Sequence, residues 1–587
     1  MSTTAWLSGM ILAVAASSCG GGQTQGAVFD PLWADDNGAA ITKLQQQIAR
    51  APLARGVDVA VGVASEGGRT VLLGAPLRGG DPWRFEHALD TRPTVTGTVV
   101  IGFGDRKLFA LDAATGKLLW TRLVQGRLRA AGDDGHTTVI SMEPRTGRGS
   151  VLFVVTHEGE VLRQIEDEHD IGVPAVAGRY AFLPWQGQFV TALDLLRGNE
   201  AARALLRTET SRAFAVGGAL FFGGAAVTRF DDKIGLGAQN KATTVALPSV
   251  ELPGVPQWIP SGTEVISPRT SALDKTRIYA RPSATGPAGI VGDRFAATYF
   301  RVVTGLDARS GGLAWVNVGD ADFIGGAAYD GGFVLCDDRG DITFFDAAHG
   351  AASARLSLGA PLRSCVVQAD GIKIAPRPRN EPLWKQLEQV VSLPDAELAA
   401  IQRFVLRELA KQPEEEVTSV LINVASQGRG ATALHDEARR ALAQRRNGGK
   451  FLLKALERRV DFLAGSLRAP PVGPIAEALA AMKEKKGAPL LTEHLLDPET
   501  STADLGQVAA ALAVLAGPAE LPSLRTFFAM YRGVSDESLD PALAQVSDTL
   551  RRLGAVELLT RAVTDPWTAP ALRKHLEASG ASPARKP

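Results

Sequence analysis

The chain has 587 residues, which suits about three to five domains, or fewer if one is a large β structure. Lys and Arg number 63, as do Asp and Glu, and this zero formal charge argues against a general nucleic-acid binder, because phosphate recognition needs clustered positive charge. Apolar residues make up 45%, which excludes wholesale disorder, and three cysteines are too few for a disulfide-stapled miniprotein or a cysteine-rich metal protein.

The N-terminus carries an apolar run of twelve residues, Ala5–Ala16, followed by Ser17, Ser18 and Cys19. The run is shorter than the roughly 20 residues that span a bilayer, and it has the length of a signal-peptide core. Small residues leading into a cysteine resemble a bacterial lipobox. The resemblance implies cleavage before Cys19 and a diacylglyceryl group on its thiol, so residues 1–19 are predicted to be a signal peptide.

Gly20 follows the cysteine where an inner-membrane lipoprotein would have Asp, so the same resemblance implies the outer membrane. An ordinary signal peptide or a mis-assigned start is the alternative. Residues 20–55 are predicted to be a glycine-rich tether and a short amphipathic helix, Asp35–Arg50. No later segment is apolar for eighteen residues, which predicts an anchored or soluble mature protein without a membrane-spanning helix.

A repeated β pattern occupies residues 56–376. Its clearest unit is Val99–Trp120, which predicts three strands joined by turns, and a related unit is Thr304–Trp315. Weaker copies occur at Thr191–Ala202 and Asp341–Ala352. A period near 40 residues with three or four strands per unit is typical of a β-propeller, in which neighbouring blades cover each other's faces.

The number of blades is predicted to be seven or eight. Eight positions for the last strand of a unit fit the period, including one near residue 280, but the Pro-rich stretch 236–290 leaves seven as the alternative. Ser364–Ile374 is predicted to close the ring by pairing with strands near the start of the propeller.

The segment Ala110–Trp120 resembles the docking motif A-x-D-x-x-T-G-x-x-x-W of pyrroloquinoline-quinone-type propellers at every fixed position. Asp112 is expected to hydrogen-bond the turn backbone, Gly116 to take a positive φ, and Trp120 to lie against the next blade. A second copy keeps the three equivalent residues, which are Asp307, Gly311 and Trp315.

Cys336 and Cys365 fall on predicted strands of neighbouring blades. In an oxidising compartment they are candidates for a disulfide, and two buried thiols are the alternative.

From Leu383 onward, alternation gives way to helical periodicity. Residues 377–381 are predicted to be a linker, and residues 382–580 a helical domain with eleven candidate helices between Leu383 and Val563. A repeat of helix pairs every 35–40 residues resembles a HEAT-type α-solenoid, with a generic helical bundle as the alternative.

Motifs of known catalytic sites are missing from the sequence, and we predict no catalytic, cofactor-binding or metal-binding residues. His169 lies in an acidic run, Glu166–Asp170, that is typical of a solvated loop, and the Arg-Gly-Asp at 339–341 is predicted to be a hairpin turn. The enzyme hypothesis is a quinone-cofactor-dependent periplasmic dehydrogenase. That family stacks its cofactor against a disulfide between adjacent cysteines, and this sequence has no adjacent pair.

A lipid-anchored propeller of this type resembles the propeller lipoprotein subunit of the outer-membrane β-barrel assembly machinery, which is non-catalytic and binds its partner through loops. The resemblance implies a protein-interaction scaffold on the outer membrane, monomeric within a complex, with envelope proteins as partners and no cofactor or nucleic acid. The helical domain is an addition to that family.

Overall fold

A computed structural model gives the architecture. It describes residues 22–23, 29, 37–50, 53–145, 147–206, 209–223, 226–230, 244–246, 276–282, 293–427, 433–457 and 471–580. The chain divides into two compact units, residues 1–379 and 380–587, and the division falls inside the predicted linker at 377–381. Cys19 lies outside the described residues, as does most of the Pro-rich stretch 236–290.

The first unit is a β-propeller, as predicted, and the part of it that the structure describes forms seven sheets. Blade 1 contains β2 (Val59–Glu66), β3 (Arg69–Pro76) and β4 (Trp83–Glu86). Blade 2 contains β5 (Thr94–Thr96), β6 (Val99–Gly104), β7 (Lys107–Asp112) and β8 (Leu118–Leu123). Blade 3 contains β9 (Arg127–Asp133), β10 (Thr137–Glu143), β11 (Ser150–Thr156) and β12 (Val161–Asp167). Blade 4 contains β13 (Ala175–Ala177), β14 (Tyr180–Trp185), β15 (Phe189–Asp194) and β16 (Glu200–Leu205).

Blade 5 contains β17 (Arg212–Val216), β18 (Ala219–Gly223), β19 (Ala226–Arg229) and β20 (Thr244–Ala246). Blade 6 contains β21 (Thr276–Tyr279), β22 (Arg294–Tyr299), β23 (Val302–Asp307) and β24 (Leu313–Val318). Blade 7 contains β25 (Phe323–Tyr329), β26 (Gly332–Asp337), β27 (Asp341–Asp346) and β28 (Ala352–Ser357). Neighbouring strands within each of these blades are antiparallel and run from the centre outward in chain order.

Blade 1 is completed by the last strand of the propeller, β29 (Leu362–Gln368). It pairs antiparallel with β2, from Val59 opposite Gln368 to Ala64 opposite Leu362. The predicted closure is therefore present, but the closing strand begins at Leu362 and ends at Gln368, whereas Ser364–Ile374 was predicted. The position near 280 is not the last strand of an eighth unit, because β21 is the innermost strand of blade 6.

The central strands consist of apolar residues because each blade is covered on both faces by its neighbours. Every residue of β6 is buried, and its neighbour β7 is buried from Leu108 to Leu111. One apolar cluster joins Val99 and Ile101 of blade 2 to Ile140 and Val155 of blade 3. The contacts between blades are thus the core of the propeller.

The N-terminal segment lies on the outside of blades 3 and 4. Its first described residues form β1 (Gly22–Gln23), which pairs parallel with β12, the outer strand of blade 3. Phe29 is buried against Trp185 with ring centroids 5.5 Å apart. Helix α1 (Asn37–Arg50) then packs its apolar face, including Ile41 and Leu44, on the apolar residues of β16.

The second unit is helical, as predicted. Its helices are α2 (Leu383–Val391), α3 (Ala399–Ala410), α4 (Glu416–Ala425), α5 (Ala433–Gln444), α6 (Gly448–Glu457), α7 (Val472–Met482), α8 (Ala488–Leu496), α9 (Thr502–Leu515), α10 (Leu521–Tyr531), α11 (Asp540–Arg552), α12 (Val556–Thr564) and α13 (Pro570–Ala578). The last of these was not predicted from the sequence. Within the described ranges, no helix is both long and apolar enough to cross a membrane.

These helices lie in two rows. The odd-numbered helices α3 to α13 contact one another in sequence, and the even-numbered helices α4 to α10 form a second row. Helices that follow each other in the chain, such as α8 and α9, connect the two rows. This arrangement is compatible with a solenoid, while its HEAT-like character stays a prediction.

Candidate functional site

The turn at Asp112–Gly116 connects β7 to β8 and receives a side chain from the preceding blade. Asp112 Oδ1 accepts hydrogen bonds from the backbone N–H and the hydroxyl of Thr115, at 2.8 and 2.7 Å. Gly116 has φ +70°, and a Cβ atom there would lie 2.5 Å from the ring of Trp83 in blade 1. Only glycine permits both the positive φ and this close approach.

Trp83 completes the contact, because its indole N–H donates to the carbonyl oxygen of Ala113 at 3.0 Å. The same arrangement joins blades 6 and 7. Trp315 donates its indole N–H to Ala347 O at 2.9 Å, and a Cβ atom on Gly350 would lie 2.4 Å from its ring. A large ring and a backbone glycine thus form each of these interfaces between blades.

Asp307 organises the turn of blade 6 in the way that Asp112 does in blade 2. Its Oδ1 accepts from the Ser310 backbone N–H and hydroxyl, each at 2.9 Å. These hydrogen bonds, with help from Arg294, lower the pKa of Asp307 to about 2. Gly311 follows with φ +72°.

Trp120 packs against the next blade at Gly159, whose Cβ atom would lie 2.7 Å from the Trp120 Cβ. Blade 3 then uses a different side chain. Arg163 on β12 donates its Nε–H to Leu195 O at 3.0 Å, and Gly198 of the receiving turn lies against the guanidinium. An arginine therefore occupies the place that tryptophan has elsewhere.

The sequence reasoning missed Trp83 and Arg163 as docking residues. A detectable signal for Trp83 is Gly74 directly opposite it on β3, because Gly305 stands in the same way opposite Trp315. For Arg163 no comparable signal exists, since the motif specifies tryptophan.

Cys336 and Cys365 lie at the interface between blades 7 and 1. Both are free thiols in the structure, with exposed fractions of 0% and 3%. Gly325 stands opposite Cys336, and a Cβ atom on Gly325 would lie 3.1 Å from the Cys365 Cβ. Burial and a hydrogen bond with the Cys365 thiol hold the pKa of the Cys336 thiol well above its usual range.

The inner strands surround a central cavity of ≈ 250 Å³. Its charged lining residues are Arg92, Asp133, Arg212, Arg277, Arg281 and Asp370. Asp370, which follows β29, accepts from Arg281 of blade 6 at 2.6 Å and from the Gly217 N–H of blade 5 at 2.9 Å. These two hydrogen bonds connect the end of the closing strand in blade 1 to blades 5 and 6, which are not its neighbours in the ring.

Two buried charges line this cavity. Burial lowers the pKa of Arg212 to about 10. Asp133 accepts from Thr98 N–H and Gly135 N–H, each at 3.0 Å, and contacts His157 Nε2 at 2.7 Å. The hydrogen bond to Asp133 raises the pKa of His157. Protonated His157 therefore stabilises the folded state, and this contribution is lost as the pH rises through the raised pKa.

The remaining candidates are turn residues. His169 contacts Asp167 Oδ1 at 2.6 Å through its Nδ1, and Asp337 accepts from the backbone N–H groups of Arg339 and Asp341 in a tight turn. Among the described residues, no group of three or more His, Cys, Asp or Glu side chains is placed to hold a metal ion.

A family model matches part of the propeller. Residues 68–248 match the family model described as outer membrane protein assembly factor BamB. The match runs from the β2–β3 turn to the end of blade 5, and it confirms the resemblance to this type of propeller. Residues 68–248 are thus similar to a BamB-type propeller, and a helical region follows the propeller.

No curated protein matches the chain. Among solved structures, BamB from Moraxella catarrhalis is 16% identical, with a TM-score of 0.30 over 53% of this chain and 86% of that one. The computationally designed Ika8 protein is 11% identical, with a TM-score of 0.31 over 48% and 92% of the two chains. Hsv2 from Kluyveromyces lactis is 10% identical, with a TM-score of 0.27 over 43% and 73%.

Replacing Trp315 by alanine is expected to destabilise the propeller by roughly 3–5 kcal/mol, because it removes a buried ring and leaves a cavity over Gly350. Urea denaturation followed by circular dichroism measures the change. The matched control is Trp567→Ala in the helical unit, where the side chain is 81% exposed and the expected change is below about 0.5 kcal/mol. Equal effects of the two substitutions would contradict the docking role of Trp315.

Proposed function

We propose that this protein is a non-enzymatic protein-interaction scaffold of the cell envelope that takes part in outer-membrane assembly. The observation that carries the proposal is the match of residues 68–248 to an outer membrane protein assembly factor. The side chains of the matched motif serve the packing of blades, since Asp112 and Gly116 shape a turn and Trp83 fills it. The propeller faces and the helical unit are then available as binding surfaces.

The test is purification of the full chain from envelopes with chemical cross-linking. We expect the chain, as one copy per complex, to be cross-linked to subunits of the β-barrel assembly machinery. A second measurement addresses the dehydrogenase alternative: the purified protein is incubated with pyrroloquinoline quinone, Ca²⁺ and a primary alcohol or aldose sugar as the electron donor. Stoichiometric cofactor binding with reduction of an electron-accepting dye would overturn the scaffold function.

We also propose that Cys19 carries the lipid anchor and that the protein resides on the outer membrane. The support is the sequence around Cys19, which resembles a lipobox, together with the match to an outer-membrane assembly factor. A lipid on Cys19 would attach the chain to the membrane without a membrane-spanning helix.

The anchor predicts that growth with a labelled fatty acid labels the wild-type protein and not the Cys19→Ala variant. The labelled protein is expected in the outer-membrane fraction after density-gradient separation. The Ser18→Ala variant is the matched control, because it changes a neighbouring small residue and keeps the thiol. Equal labelling of wild type and Cys19→Ala would refute lipidation at this cysteine.

For the exported chain we propose a disulfide between Cys336 and Cys365. Both thiols are buried in one apolar cluster at this interface, which supports it. The two thiols lose two protons and two electrons as the S–S bond forms, and a dithiol–disulfide oxidoreductase of the envelope takes up the electrons as its own disulfide is reduced to a dithiol. The bond would join β26 of blade 7 to the closing strand β29.

The measurement is alkylation of the denatured, unreduced protein with a mass-tagged maleimide. The exported chain is expected to take up no tag at these positions until it is reduced, whereas a chain lacking residues 1–19 and kept in the reducing cytosol takes up two. The Cys365→Ser variant is the control, because it leaves one thiol that must be tagged. Two tags on the unreduced exported wild type would show that the pair stays reduced.

A further inference from the structure

Exposed apolar side chains of the propeller concentrate on two blades. Five large apolar side chains are exposed in the described part of this unit, and four of them lie on blades 2 and 4. We call these four the leucine rim: Leu118 and Leu123 of β8, Leu196 in the turn after β15, and Leu205 of β16. Leu123 and Leu196 are 73% and 68% exposed. Blade 3 stands between the two groups.

Blade 3 is also where the N-terminal segment is attached. Gly22 of β1 pairs with Arg163 of β12, which is the outer strand of that blade. Cys19 precedes Gly22 by three residues, so even a fully extended chain places its Cα atom at most about 11 Å farther along. An anchor on Cys19 would therefore hold the outer edge of blade 3 close to the membrane surface.

Hydrogen bonds connect both parts of the leucine rim to this attachment point. Arg163, the partner of Gly22, donates to the carbonyl oxygens of Leu195 and Leu196. On the other side, Arg122 donates to Gly159 O at 3.1 Å, in the turn that precedes β12. Leu196 and Leu123 thus belong to segments fixed directly against the anchored blade.

Three of the four leucines have an exposed cation beside them in the chain: Lys117 precedes Leu118, Arg122 precedes Leu123, and Arg197 follows Leu196. This pairing suits the surface of a bilayer, where apolar side chains enter the boundary of the acyl chains and cations contact lipid phosphates.

We propose that the leucine rim lies on the phospholipid surface, so that the propeller rests edge-on against the membrane with blade 3 nearest to it. The inference rests on the proposed anchor at Cys19. It commits the exposed leucines of blades 2 and 4 to lipid.

The test uses the lipidated full chain in vesicles of phosphatidylethanolamine and phosphatidylglycerol. Leu123→Cys and Leu196→Cys variants carry an environment-sensitive dye, and Leu356→Cys on blade 7 is the matched control, because Leu356 is also exposed, at 38%. The native thiols Cys336 and Cys365 are buried and do not compete for the dye. We expect emission from positions 123 and 196 to shift to shorter wavelength and to be quenched by nitroxide-labelled lipid, and position 356 to show neither effect.

The outcomes separate the two proposals. Protein that floats with the vesicles but shows no quenching at 123 and 196 overturns the membrane-facing rim and leaves the anchor intact. A blue shift without quenching by nitroxide lipid also overturns it, because protein and not lipid then covers the leucines. Protein that does not float with the vesicles overturns the anchor, and the rim proposal falls with it.

Discussion

The pairing of β29 with β2 is the constraint on which the rest of the propeller depends. It joins segments about 300 residues apart, and without it β2 would expose an unpaired edge while blade 7 would lose the neighbour that covers its inner strand. The Gln368 amide adds to the closure by donating to Val57 O and Gly97 O, each at 2.7 Å, so that the end of β29 contacts blades 1 and 2 together. The entropy cost of closing so long a loop grows only slowly with its length, by about 0.6 kcal/mol per doubling. A long chain can therefore be closed by one strand.

At three interfaces of the closed ring, between blades 1 and 2, 3 and 4, and 6 and 7, the docking contact follows a rule of shape that is more permissive than the sequence motif. The receiving turn contributes a carbonyl oxygen and a glycine, and the preceding blade contributes one large flat group with an N–H donor. Trp83 and Trp315 meet this requirement with an indole, and Arg163 meets it with a guanidinium. Both groups are planar and both carry the donor at a similar distance from the backbone. The constraint at these contacts is thus on geometry, which explains how Arg163 of blade 3 docks in the way that tryptophan does in blades 1 and 6.

This rule also explains what could be predicted from the sequence. The turn before Trp120 was recognisable because every fixed position of the motif is present, and the helices were recognisable because Pro and Gly separate them. Arg163 could not be recognised as a docking residue, because the motif specifies tryptophan and does not allow for a guanidinium in place of the indole. The count of blades stayed open for a different reason: the position near 280 fits the period, yet Thr276–Tyr279 forms an inner strand. Periodicity gives the spacing of strands and does not show which strand of a blade each one is.

The outer strands show how the propeller treats its exposed edges. On β12 the edge is paired with β1, and α1 packs on β16, so the N-terminal segment covers the outside of blades 3 and 4. On β28 of blade 7 no further strand is described, and apart from Leu356 its residues are small or charged, as expected of an edge that must not pair with other chains. The β8 edge is likewise unpaired in the part of the chain described, but it presents Leu118 and Leu123 to the outside. Leucines on an open edge invite association in water, whereas against lipid the same residues are stabilising. The different composition of these two edges is therefore physical support for assigning them to different surroundings.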